Sequence, residues 1–134
     1  MRLLYVDDDR VITMLFEEIC RREPGLDLRT AADGEEALMA LVGWSPDLFV
    51  IDLHLPDTDG LALLARLRAR PGLADCPAYL CTADDAAPVL DQARAAGFDG
   101  CWGKPMDAAV LRAELARLST QRRLPGASTS IADR

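Results

Sequence analysis

Five short apolar runs divide this chain, and the stretches between them carry the spacing of amphipathic helices. The runs are LLYV (3–6), LDLRTA (26–31), DLFVI (47–51), PAYLCT (77–82) and GCW (100–102). Each has strand length. Within 10–23, Ile12, Leu15, Phe16 and Ile19 recur at i, i+3, i+4 and i+7, which predicts one helix face. Residues 32–41 read as a helix capped near Asp33. A third helix starts near Thr58, with Gly60, Leu63, Leu64 and Leu67 on one face and Pro71-Gly72 beyond its end. A fourth covers 84–96, with Pro88 in its first turn and Gly97 at its C-terminal cap. The last covers 107–119, with Ala108, Leu111, Leu115 and Leu118 turned inward. LYV, FVI and YLC are almost unbroken apolar runs, as strands covered on both faces should be. Strands alternating with helices in this way predict an α/β fold: a single doubly wound parallel sheet of five strands with five helices.

One domain is expected over residues 1–120. Residues 121–134 are polar with little apolar content, and read as a flexible tail or linker. The net charge of −7 argues against nucleic acid or an anionic membrane as a direct partner. The opening MRLLYVDDD reaches three aspartates after four apolar residues, too soon for a secretory leader, and no apolar stretch approaches spanning length. Four cysteines without a C-x-x-C pair, beside a single histidine, argue against structural zinc. A cytoplasmic protein with reduced thiols is the expectation.

In open parallel sheets ligands bind beyond the carboxyl ends of the strands. The first strand ends in Asp7, Asp8 and Asp9, the third in Asp52 and the fourth in Thr82, and the fifth ends near Lys104. An aspartate between strand and helix commonly caps the helix, and Asp9 suits that role. A single cap uses one side chain, so Asp7 and Asp8 together exceed it. Carboxylates about 5 Å apart repel by roughly 3 kcal/mol per pair at an effective dielectric near 20, so such a rim calls for a cation. An all-oxygen set suits Mg²⁺, with Mn²⁺ an alternative, better than Zn²⁺. Thr82 and Lys104 can each meet an oxygen of a phosphoryl group, and one carboxylate can act as nucleophile. Lys104 is the only lysine beside fourteen arginines and His54 the only histidine, and both fall within these motifs.

Taken in order, LLYVDDD, PDLFVIDLHLPDTDG, YLCTA and GKP resemble the receiver domains of two-component response regulators, along residues 2–119. Asp52 followed by Pro56 and Asp59-Gly60 is the most specific part. The resemblance implies the flavodoxin-like strand order 2-1-3-4-5. It implies Asp52 as phosphoacceptor, Asp8 as a direct Mg²⁺ ligand, Asp7 as a ligand through water, and the backbone carbonyl of His54 completing the site. Thr82 and Lys104 match the family's switch hydroxyl and lysine, and the small Ala83 leaves room for the phosphoryl group. His54 and Asp84 sit where receivers tune the lifetime of the acyl phosphate. The Lys104–Pro105 bond is cis in receivers of this kind. The implied partners are a sensor histidine kinase or histidine phosphotransfer protein, and a downstream protein on the face made by the fourth helix, fifth strand and fifth helix. The resemblance further implies a domain that catalyses only its own phosphorylation and dephosphorylation.

One position departs from the family. Three residues before the lysine, receivers carry Tyr or Phe; here the residue is Cys101, followed by Trp102 and Gly103. Period-two alternation sends Cys101 and Trp102 to opposite faces, so the indole does not simply replace the ring. Two rival readings follow. A pseudo-receiver would share the fold and only bind proteins. A haloacid-dehalogenase-like phosphatase would use Asp7 as nucleophile and Asp9 as acid/base, but leaves IDLHLPDTDG unexplained and has no acidic pair after Lys104.

Overall fold

The computed structural model describes residues 1–84, 86–104 and 106–123. Five parallel strands, β1 (Arg2–Val6), β2 (Asp27–Ala31), β3 (Leu48–Asp52), β4 (Ala78–Thr82) and β5 (Gly100–Gly103), form one sheet in the order β2-β1-β3-β4-β5. Between and after them run α1 (Arg10–Arg21), α2 (Gly34–Ala40), α3 (Gly60–Arg68), α4 (Ala86–Ala95) and α5 (Ala108–Arg123). This is the expected flavodoxin-like arrangement. The order reverses between β1 and β3, which places the switch point where Asp7, Asp8 and Asp52 leave the sheet.

Alternation along each strand builds two cores. Leu4, Val6, Phe49, Ile51, Ala78 and Leu80 pack with Ala37 of α2, Leu63, Leu64 and Leu67 of α3, and Val89 and Ala93 of α4. Leu3, Tyr5, Leu48, Val50 and Cys81 pack on the other face with Phe16 and Cys20 of α1 and Leu111, Leu115 and Leu118 of α5. Both faces are therefore covered, which explains the unbroken apolar runs.

Aspartates start four of the helices. Asp9, Asp33, Asp59 and Asp107 accept backbone N–H bonds from the first turns of α1, α2, α3 and α5. The third helix thus begins at Gly60, two residues later than the expected Thr58. Glycine is required there: a Cβ would lie 2.4 Å from the Asp52 carbonyl oxygen. That close approach ties the start of α3 to the end of β3, with the Gly60 amide donating to the Leu53 carbonyl at 2.8 Å. Gly97, at φ +104, ends α4 as expected.

Two inward assignments and one helix end change. Leu15 is 52% exposed, because α1 turns Phe16 and Cys20 to the sheet and leaves the flank holding Val11, Met14 and Leu15 outside. Ala108 is exposed in the first turn of α5, where the helix has not yet reached the sheet. Helix α5 runs to Arg123 rather than stopping at 119. Gln and Arg propagate a helix readily once its packed turns have nucleated it. The expectations for residues 124–134 and for the Lys104–Pro105 bond lie outside the described residues. No helix among the described residues is long and apolar enough to cross a membrane.

Candidate functional site

The carboxyl ends of β1, β3, β4 and β5 bring Asp7, Asp8, Asp52, Thr82 and Lys104 together, as the strand-by-strand reading expects. Asp7, Asp8 and Asp52 each offer a carboxylate oxygen within 4.8 Å of the others. Asp7 is 2% exposed and Asp52 5%, whereas Asp8 is open to solvent. The Lys104 ammonium bridges the two buried members, 3.0 Å from Asp7 Oδ2 and 3.2 Å from Asp52 Oδ2. One ammonium against three carboxylates leaves a surplus of negative charge. Burial, then the neighbouring Asp7, pushes the Asp52 carboxyl up to about 6, against the pull of Lys104. Burial opposes the charge on Lys104, but the bond to Asp7 and the field of Asp52 prevail and raise its pKa.

Thr82 is fully buried, and its Oγ1 accepts a 2.9 Å hydrogen bond from the Asp84 amide. The Lys104 amide donates to the Thr82 carbonyl at 2.9 Å, so the ends of β4 and β5 are tied beside the acids. Asp8, Asp9, Asp52, His54, Leu55, Pro56, Ala83, Asp84 and Lys104 line an open cleft of about 320 Å³. His54 and Asp84 meet at its mouth, with His54 Nε2 2.9 Å from Asp84 Oδ2. That contact raises the His54 pKa above its ordinary value.

Cys101 is half-buried against the α2–α3–α4 core, and Trp102 is buried on the opposite face. There the indole stacks on Tyr79, with ring centroids 4.6 Å apart. Period-two alternation therefore describes this strand correctly, and Trp102 does not occupy the position of the missing aromatic.

Two residues of the site's framework escaped the sequence reading. Asp57 accepts the Gly34 and Glu35 amides at 2.9 and 3.0 Å, pinning the β3–α3 loop to the start of α2. Those bonds hold its carboxyl below the usual range. Its signal was a second acid in PDTDG, where one suffices to cap α3. The Tyr5 hydroxyl donates to Asp7 Oδ2 at 2.7 Å. Its signal was a polar tip in an otherwise aliphatic strand, two residues before an acid.

A doubly wound parallel sheet with an acid cluster, a buried threonine and a lysine at its strand ends defines a CheY-like receiver. The chain matches the response regulator receiver domain family over residues 3–116, and it belongs to that family. It is 38% identical over 113 residues to the probable transcriptional regulatory protein TcrX of Mycobacterium tuberculosis, covering 82% of this chain and 47% of that protein. It is 34% identical over 128 residues to the DNA-binding dual master transcriptional regulator RpaA of Synechocystis, covering 95% and 53%. The chain thus spans about half the length of these curated relatives. Among solved structures, the receiver domain of the Francisella response regulator 1452 is similar at a TM-score of 0.78 and 28% identity, covering 91% of this chain and 98% of that one. The Vibrio cholerae chemotaxis regulator CheY4 is similar at a TM-score of 0.78 and 25% identity, covering 87% and 97%. Membership of a two-component signalling family replaces the phosphatase reading. In keeping with that, Asp9 Oδ1 is engaged by the Val11 and Ile12 amides as a helix cap.

Proposed function

We propose that this receiver accepts a phosphoryl group on Asp52 in a Mg²⁺-dependent reaction, and that the modified form changes its binding to a protein partner. The observation that carries this is the buried Asp52, bridged by Lys104 at 3.2 Å and facing Asp7 and Asp8 at the floor of an open cleft. The donor set fits a hard cation: three convergent carboxylates, all oxygen, under-neutralised by one ammonium. Asp8 and Asp52 would hold the ion directly with the His54 carbonyl, and Asp7 would act through water; Mn²⁺ suits the same ligands. When bound, the ion supplies charge neutralisation for an incoming phosphoryl group.

The protein's own groups do the rest. An Asp52 carboxylate oxygen attacks phosphorus and forms the new P–O bond. The bond from phosphorus to the donor, a histidine nitrogen or the acyl oxygen of a small phosphodonor, breaks, and its electron pair leaves with the donor. Lys104 then meets one phosphoryl oxygen and Thr82 another, and Ala83 leaves space between them. Receiver membership implies a histidine kinase or histidine phosphotransfer protein as the natural donor.

Incubation with acetyl phosphate, with and without Mg²⁺, followed by mapping of the labelled peptide, tests this reading. Label at Asp52 that requires Mg²⁺ is the expected result. No label would point to a pseudo-receiver, and label on another acid would refute the assignment.

We further propose that His54 and Asp84 set the lifetime of the acyl phosphate. Their 2.9 Å contact spans the cleft mouth, where the hydrolytic water must enter. His54→Ala should open that path and speed the loss of label several-fold. Superimposable decay curves for the two proteins would remove His54 from this role.

The output surface is assigned to α4, β5 and α5. With Cys101 in place of a ring, the signal passes through backbone movement of the β4–α4 loop, which the Asp84–Thr82 bond ties to the site.

A further inference from the structure

Tyr5 is an unusual neighbour for a buried acid. It is 1% exposed, lies on β1, and stacks on Phe16 of α1 at 4.0 Å with the rings 11° from parallel. This packing leaves the hydroxyl one direction, toward Asp7 Oδ2 at 2.7 Å. Lys104 Nζ bonds to the same oxygen at 3.0 Å, while Asp7 Oδ1 accepts the Asp9 amide at 2.9 Å. One acceptor atom thus carries two side-chain donors, and one of them also serves Asp52.

Those distances set a competition. For Lys104 to follow Asp52 once it carries a phosphoryl group, it must loosen its hold on Asp7. A carboxylate that is 2% exposed cannot replace a lost donor with bulk water. We propose that Tyr5 is a positioning residue: its hydroxyl keeps Asp7 satisfied and so releases Lys104 to the phosphoryl group. This rests on Asp52 being the phosphoacceptor. Tyr5 touches neither phosphoryl group nor cation, and acts only through Asp7 and Lys104.

Tyr5→Phe keeps the ring and its stack and removes one oxygen. Lys104 then becomes the only side-chain donor to Asp7 Oδ2, and its transfer becomes costlier. The loss of one charge-assisted hydrogen bond predicts labelling by acetyl phosphate roughly tenfold slower at saturating Mg²⁺. Affinity for Mg²⁺ itself should stay within about threefold, because the hydroxyl bonds to neither Asp8 nor Asp52, the two carboxylates that would hold the ion directly.

A spectroscopic signature is available because Lys104 is the only lysine in the chain, so ¹⁵N-lysine labelling reports a single ammonium. In wild type its signal should move on adding the phosphoryl mimic beryllofluoride with Mg²⁺; in Tyr5→Phe the movement should be smaller at equal occupancy. Phe16→Leu removes the stack but keeps the hydroxyl, and should lower the melting temperature while retaining the labelling rate. Equal labelling rates for wild type and Tyr5→Phe would overturn the role of Tyr5 and leave Asp52 untouched. A rate loss in Phe16→Leu as large as in Tyr5→Phe would assign the effect to packing and likewise overturn it. A wild type that takes no label would overturn the phosphoacceptor reading and this one together.

Discussion

Asp52→Asn is expected to take up no phosphoryl group and, in metal-free buffer at pH 7, to be more stable than the wild type by about 1–3 kcal/mol. The first effect follows from loss of the nucleophile. The second follows from the state of the pocket without a cation. Asp52 is almost fully buried, and its carboxyl is pushed up to about 6 by burial and by Asp7. An acid whose folded pKa lies above its unfolded value binds its proton more tightly in the folded state, so its ionisation weakens folding. The penalty is absent below about pH 4, grows as the pH rises toward 6, and is complete by pH 7. Asparagine keeps the shape and never ionises. Chemical denaturation of both proteins in EDTA should therefore give a stability gap that is near zero at pH 4 and full at pH 7. Adding Mg²⁺ should narrow it, because the ion stabilises wild type more. A gap that does not change with pH, or a less stable variant at pH 7, would show that the Asp52 carboxylate is not strained in the free protein.

The same burial explains how far the sequence could be read. Strands β1, β3 and β4 were visible because both faces of each are covered, which leaves continuous apolar runs such as FVI. The acids were visible because such a sheet exposes its functional residues at strand ends, and Asp7, Asp8 and Asp52 stand immediately there. The alternation that separates Cys101 from Trp102 needed only the pleat of a strand. Helix rotation was less accessible. Leu15 and Phe16 are adjacent and both apolar, and only the docking of α1 on the sheet decides that Phe16 points inward. Helix starts were ambiguous where two capping residues compete, as Thr58 and Asp59 do before α3. Least accessible were contacts between distant segments. The Lys104–Asp7 bridge joins residues 97 positions apart, and the Asp57 bonds to α2 depend on where the β3–α3 loop folds over. Spacing along the chain carries no record of either.

Lys104→Met carries the largest expected cost. Lys104 bridges two carboxylates that are nearly inaccessible to water. Removing one member of a buried, bonded ion pair typically costs about 3–5 kcal/mol, mostly the penalty of the charge left behind. Here two charges are left behind, so the metal-free variant at pH 7 should lose at least that much. Acid should restore it: without the ammonium the folded pKa of Asp52 climbs further, and the variant gains stability relative to wild type as the pH falls from 7 toward 5. A double-mutant cycle separates this electrostatic account from simple loss of packing. In an Asp52→Asn background Lys104→Met strips the ammonium from one bridged carboxylate, Asp7, instead of two, and Asp7 keeps the Tyr5 hydroxyl and the Asp9 amide. The cost of Lys104→Met should then be smaller by about 1–3 kcal/mol, the coupling expected of groups in one network. If the lysine costs the same in both backgrounds, it does not serve Asp52, and the bridge seen between β3 and β5 is incidental to the stability of the pocket. A reduced cost, together with slow labelling of Lys104→Met at saturating Mg²⁺, would show that the ammonium balancing the empty pocket also receives the phosphoryl group.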